Sequence, residues 1–367
     1  MSSPAASFTP LSIVPLGAGD LIDRAVRFYR RHFAIFVMIS AVPVVIGTLL
    51  SVGWLYVARS LFLTTGSYDA VESDAYAIVA GLGAIVIWFV ESVATLAVMG
   101  GASRNFVRHL LFGEAISFRA TYRYTWQRFA ALVVASVAII FLMIFFGLMI
   151  FYGGIIVAVL LSAVAMLAFQ SAPVVGGLIT AVVIIAALVG IYWLFCLVAS
   201  RFAYVPQAML VEDTGILGAF GRSFSLASGN VKRFAALFGF TIVATYSALA
   251  VLYIPLMWYA WGTGVDLSPL GATITPAWYE IASQLIWQAG IIVLSPVWMI
   301  GLCLLYVDER VRHEGYDIEL MAAARLGEMP SVPGSYINPL QPALGSREAP
   351  ALPSTSSGSS ISTLGLK

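Results

Sequence analysis

From Phe129 to Ser200 the sequence has not one Lys, Arg, His, Asp or Glu. A bilayer accommodates such an uncharged stretch, since a spanning helix needs roughly 20 predominantly apolar residues. The remainder of the chain agrees. Of its 367 residues 60% are hydrophobic and 10% charged, with a mean hydropathy of +0.95; an ordinary soluble domain carries about 25% charged residues. The chain therefore reads as a polytopic membrane protein. A formal net charge of +1 gives no electrostatic footprint for nucleic acid, and that class of partner is excluded. Cys196 and Cys303 lie in apolar runs with no Cys or His at metal spacing. Neither a disulfide scaffold nor a metal or cofactor site is expected. The first twenty residues hold no Lys or Arg and no unbroken apolar block. They do not read as a cleaved signal peptide, so targeting falls to the first span.

Hydropathy places single spans at about 33–57, 75–100, 234–261 and 277–306, and leaves two or three spans for the uncharged stretch. Internal repetition decides between them. The strings RAVRFYRRHFAIF from Arg24, RATYRYTWQRFAAL from Arg119 and RSFSLASGNVKRFAAL from Arg222 share one order. Each has an Arg, an aromatic-bearing stretch, a polar or basic pair, and then Phe-Ala opening a long apolar run. The separations from Phe33 to Arg104, from Phe129 to Arg201 and from Phe234 to Arg310 are nearly the same. Matching lengths imply matching content, so the middle unit also holds two spans, with an uncharged connector near 152–177. Whether 153–170 is a helix extension, a re-entrant segment or an interfacial one stays open.

The expected fold is an all-α integral membrane protein of six transmembrane helices, arranged as three tandem helical hairpins. Each hairpin is preceded by a cytoplasmic amphipathic interfacial helix, at about 20–33, 114–127 and 216–228. Glu212, Asp213 and Thr214 precede the third as acceptors suited to a helix N-terminus, and Gly229-Asn230 ends it. Domain boundaries follow: a flexible N-terminus over 1–19, a membrane domain over 20–328 with units near 20–112, 113–213 and 214–320, and a tail over 329–367. That tail is rich in Ser, Pro and Gly, with few large apolar groups, and is expected to be disordered. Six spans put eighteen of the nineteen basic residues on one side, with Arg59 alone opposite. By the positive-inside rule both termini are cytoplasmic.

Three strings resemble a bacterial family of polytopic proteins, the glycerophosphoryl diester phosphodiesterase membrane domain family. They are PLGAGDLIDRAVRFYRRHF at 15–33, VEDTGILGAFGRSFSLASGN at 211–230 and LLYVDERVRHEGYDIEL at 304–320. The resemblance touches all three units. It implies a six-helix module in the bacterial cytoplasmic (inner) membrane, fused in some relatives to a soluble phosphodiesterase. It does not imply the reaction. The hydrolytic domain of such enzymes is a separate barrel with His, Glu and Asp metal and acid-base residues, for which this chain has no second domain. His32, His109 and His313 fall in three separate segments.

Two groups of residues are candidate sites. Glu91 lies inside the second span, where a carboxylate costs about 2.5–3.5 kcal/mol and is a functional candidate by default. Ser92 and Thr95 are near enough in sequence to donate to it. Glu280, Gln284 and Gln288 form a polar stripe on the sixth span, which either joins helices or lines a path. At the basic side, Asp308, Arg310, Arg312 and Glu314 extend the sixth span, with Asp308–Arg312 and Glu309–His313 at i,i+4 spacing. These residues, with Arg24, Arg119 and Arg222, either contact anionic lipid headgroups and a protein partner or form a solvated, self-paired helix end. Pro43, Pro255 and Pro296 kink their spans and free carbonyls that something must satisfy. No catalytic string is present, so an enzyme is not expected. The leading function is a scaffold or lipid-associated membrane module, with a membrane or cytoplasmic protein as possible partner. The alternative is a carrier for a small or amphiphilic solute, and an intramembrane enzyme comes third. The sequence does not count subunits.

Overall fold

A computed structural model describes residues 17–62, 70–112, 114–265 and 275–314, and at 70–73, 111–112 and 313–314 the backbone alone. The N-terminal expectation over 1–16, the tail and the side chains of His313 and Glu314 fall outside the described residues.

Ten α-helices make up the described chain, in the order α1 (Ala18–Arg31), α2 (Phe33–Phe62), α3 (Ala70–Phe112), α4 (Phe118–Gln127), α5 (Phe129–Ala168), α6 (Pro173–Phe202), α7 (Val205–Val211), α8 (Ile216–Leu226), α9 (Val231–Gly262) and α10 (Ala277–Glu314). Six segments are long and apolar enough to cross a membrane: α2, most of α3, α5, α6 continued through α7, α9 and most of α10. The protein is thus an all-helical, multi-pass membrane protein over its described residues. The uncharged stretch holds two spans rather than three.

One expectation is corrected. The connector of the middle unit is not 152–177, because α5 runs unbroken through Ala168 and α6 begins at Pro173. No charge or Gly-Pro pair interrupts 152–168, and Pro173 suits a first helical turn, where its missing N–H costs nothing. At 40 residues α5 is about 60 Å long, twice the roughly 30 Å hydrocarbon core.

Short helices turn directly into spans. A single residue breaks α1 from α2, His32 at φ −116°, ψ 28°, and α4 from α5, Arg128 at φ −126°, ψ 28°. Between α8 and α9 the break is longer and uses Gly229 at φ 85°, a left-handed conformation that glycine adopts without strain.

Packing is closest between sequence neighbours, α2 with α3, α5 with α6 and α9 with α10, while α10 also packs on α1, α2, α3 and α8. The sixth span is therefore the centre of the bundle. Two of the kinks are closed by hydroxyls from other helices. Pro43 leaves the Ile39 carbonyl without its helical donor, and Tyr122 of α4 donates to it at 2.8 Å. Pro296 does the same to Ile292, which accepts from Ser40 of α2 at 2.8 Å. Tyr29 of α1 adds a bond to the Val293 carbonyl at 2.6 Å. The carbonyls the two prolines free are thus satisfied from neighbouring helices.

Candidate functional site

At the end of the bundle that carries α1, α4, α7 and α8, here the basic end, polar side chains converge below the apolar spans. Asp308 and Glu309 on α10 are 2% and 1% exposed. Arg233, at the start of α9, reaches both carboxylates, and Arg312 pairs with Asp308 at 2.8 Å. Beside them Tyr204 is fully buried and accepts from the Asn230 amide at 2.5 Å. Glu212 gathers a second group. It accepts from Arg222 at 2.7 Å and from the Tyr306 hydroxyl at 2.5 Å, with Arg310 3.6 Å away. Arg128 donates to the carbonyls of Met209 and Thr214 at 3.1 and 2.8 Å, capping the turn that holds Asp213 at φ 53°. Arg104 pairs with Asp213 at 3.2 Å.

Each short helix is pinned to the spans here. Asn105 of α3 donates to the Ser117 carbonyl and Thr121 hydroxyl of the α4 start at 2.8 and 2.9 Å. Ser223 of α8 donates to the Arg201 carbonyl at 2.6 Å. The Ser103 hydroxyl lies 3.0 Å from the Cys303 thiol, joining α3 to α10.

Several expectations change at this end. Asp308 and Glu309 are not a solvated, self-paired helix end. Asp308 does meet Arg312, but Glu309 pairs with Arg233, 76 positions away. Arg24 is not turned outward to headgroups or solvent: it is 6% exposed. Burial pulls its guanidinium below the ordinary value, and Asp20 opposes that shift. Glu212 and Asp213 are ion-pair partners, and α8 starts after Gly215 without a side-chain cap. The three arginines aligned by the repeat thus occupy three environments: Arg24 is buried, Arg119 is exposed and Arg222 is paired with Glu212.

Within the membrane the structure joins two candidates and separates the others. Gln288 of α10 donates from Nε2 to Glu91 Oε2 of α3 at 3.1 Å. A Cβ on Gly47 of α2 would overlap that carboxylate, so the pair sits where three spans meet. Neither Ser92 nor Thr95 is the donor among the described contacts. Glu280 belongs to another site toward the far end: Arg59 holds it at 2.8 Å, Tyr76 at 2.9 Å and the Thr275 hydroxyl at 2.7 Å. Gln284 lies half-buried between the two, so the expected stripe divides into two sites.

Arg233 and Tyr204 are inconspicuous at their sequence positions, and Glu212 and Asn230 read there only as helix-end residues. Apart from Arg222, ten positions from Glu212, their partners lie 26 to 94 residues away, beyond any helical period. Gln207 was missed as well; it is fully buried with both amide atoms unpartnered, and the only signal for it is a lone amide within an apolar string. No family model matches the chain, and comparisons with curated proteins and with solved structures find no match.

Proposed function

We propose that the chain is a non-catalytic, lipid-associated membrane scaffold whose basic end faces the cytoplasm and holds anionic headgroups. The observation that carries this reading is which charges remain outward. Asp308, Glu309, Glu212 and Asp213 are engaged by arginines within the fold. Arg30, Arg31, Arg119, Arg123 and Lys232 are exposed and have no carboxylate partner among the described residues. Exposed apolar side chains stand near the four arginines in sequence: Phe33, Trp126 at 75% and Phe129. Cations beside aromatic groups suit a membrane interface, where each basic residue adds about 1 kcal/mol of attraction to anionic lipid.

Three tandem hairpins, each led by an interfacial helix, belong to the same proposal. The like dihedrals of His32 and Arg128 support it for the first two units. Membership in the glycerophosphoryl diester phosphodiesterase membrane domain family, and with it a bacterial inner-membrane location, rests on the three strings quoted above. The carrier alternative rests on Glu91 and Gln288.

Replacing Arg119, Arg123 and Lys232 together by Gln removes about 3 kcal/mol of lipid attraction. Retention of phosphatidylglycerol by the purified full chain, read by native mass spectrometry after reconstitution in mixed nanodiscs, is expected to fall on the order of a hundredfold. Unchanged retention sinks the lipid reading. Orientation has its own test. A cysteine at Thr263 is expected to react with an impermeant maleimide on intact cells, and one at Ser228 only after permeabilisation. The reverse pattern overturns the assignment.

A further inference from the structure

The Glu91–Gln288 pair has an acceptor too many. Gln288 is 5% exposed, and its Nε2 is spent on Glu91 Oε2. Its Oε1 is buried with no donor. An ionised Glu91 can only accept, so it would leave that oxygen orphaned and set a carboxylate against another acceptor in the apolar interior. A carboxylic acid supplies the missing hydrogen. Its O–H donates to Gln288 Oε1 while its other oxygen accepts from Nε2, and the two side chains close a reciprocal acid–amide ring with every polar atom used.

We infer that the junction of α2, α3 and α10 is a proton-binding site, in which Glu91 is held as a neutral carboxylic acid by Gln288. The surroundings agree. Gly47 offers the Glu91 carboxyl a gap that any side chain would fill. Among the described residues no charged group bonds to it, its partner being Gln288, and α5, which packs on α3, carries no charge along its length. On α3 itself the nearest described charges, Asp74 and Arg104, stand roughly 25 and 20 Å along the helix from Glu91. On α2 and α10 the nearest charges toward the far end are Arg59 and Glu280. They lie roughly 18 and 12 Å along their helices from Gly47 and Gln288, and they pair with each other. On α10 the nearest in the other direction is Asp308, paired with Arg233 and Arg312. The thiol and phenol groups of α10 on that side, Cys303 and Tyr306, are bonded to Ser103 and Glu212. A proton leaving Glu91 would strand an anion without a cation to receive it. The site therefore exchanges its proton only when the three spans admit water or a cationic solute. This inference does not depend on the lipid reading.

Infrared difference spectroscopy on the full chain in nanodiscs tests it. At neutral pH the wild-type minus Glu91→Gln spectrum is expected to show a protonated-carboxyl C=O band that shifts in heavy water. Gln288→Leu is expected to move that band to the frequency of an unbonded acid. If Glu91→Gln does not insert, labelling the wild type with 13C-glutamate assigns the same band without a substitution. Loss of carboxylate bands alone in the difference spectrum, or absence of a glutamate-dependent acid band at neutral pH, overturns the inference. A band unmoved by Gln288→Leu overturns the ring.

Discussion

At the basic end the helices are held by charge, with Arg233 between two buried carboxylates and Glu212 drawing α8 and α10 onto α7. The outer parts of α5 and α6 are held differently. Over 151–189 Phe151, Ile156, Leu160, Val164, Leu178, Val182 and Ile185 remain exposed, and the two helices meet through small residues: Gly154 faces Ile191 and Gly176 faces Met166 and Phe169. Lipid tails are as apolar as these side chains, so burying them between helices gains little, and close packing at small residues does the joining. Polar bonds specify one arrangement at the basic end. The arm has only shape, and an uncharged helix longer than the bilayer core is thick meets it by tilting.

The largest effect is expected where charge is buried. Arg233→Leu removes the cation between Asp308 and Glu309, and loss of one partner of a buried ion pair costs about 3–5 kcal/mol. Thermal unfolding of the purified protein is expected to register that loss, and the triple change Arg233→Leu, Asp308→Leu, Glu309→Leu to recover much of it. A loss no greater than that of Arg119→Leu breaks the contrast, because Arg119 is exposed.

A smaller effect separates two neighbours on the arm. A side chain at Gly154 meets Ile191, whereas one at Gly153 meets nothing within 4 Å. Gly154→Leu is expected to destabilise by about 1–3 kcal/mol through overpacking, and Gly153→Leu to be near neutral. Equal effects would show that the arm is not joined through this face.

The smallest effect concerns pH. His32 packs on Phe28 and His109 at the basic end, and burial, followed by the charges of His109 and Arg31, pulls its pKa below 6.5. The unfolded chain then binds more protons than the folded one as pH falls through that value, so folding is favoured above it and weakened below it. Acidification from pH 7.5 to 5.5 is expected to lower the unfolding temperature less in His32→Gln than in the wild type. An identical decrease removes His32 from the account.

Much of the fold is legible in sequence because its causes are local. Apolar runs longer than a bilayer demand spans, the stretch from Phe129 to Ser200 holds two of them, and Pro43 and Pro296 each free a carbonyl that needs another donor. The site is less legible. Glu91 and Gln288 are both conspicuous as polar groups in apolar helices, yet 197 positions separate them, and no periodicity spans that distance. Glu280 and Gln288 share a helical face, yet Glu280 is held by Arg59 and Tyr76 while Gln288 meets Glu91, fifteen positions further along the helix that carries Tyr76, so spacing that suggests one stripe belongs to two sites. The likeness of the three strings misleads in a similar way: it aligns Arg24, Arg119 and Arg222, while the first is buried, the second exposed and the third paired with Glu212.

That the chain suits a bilayer, that it holds six spans and where prolines interrupt them are all readable locally, since each follows from the content of a contiguous segment. Packing between helices is what gives Arg233 to Asp308 and Glu309, Tyr122 and Ser40 to the proline-freed carbonyls, and Gln288 to Glu91 beside Gly47. The physical reason is that a buried polar group takes whichever donor or acceptor packing brings within about 3 Å, and that choice is made between helices.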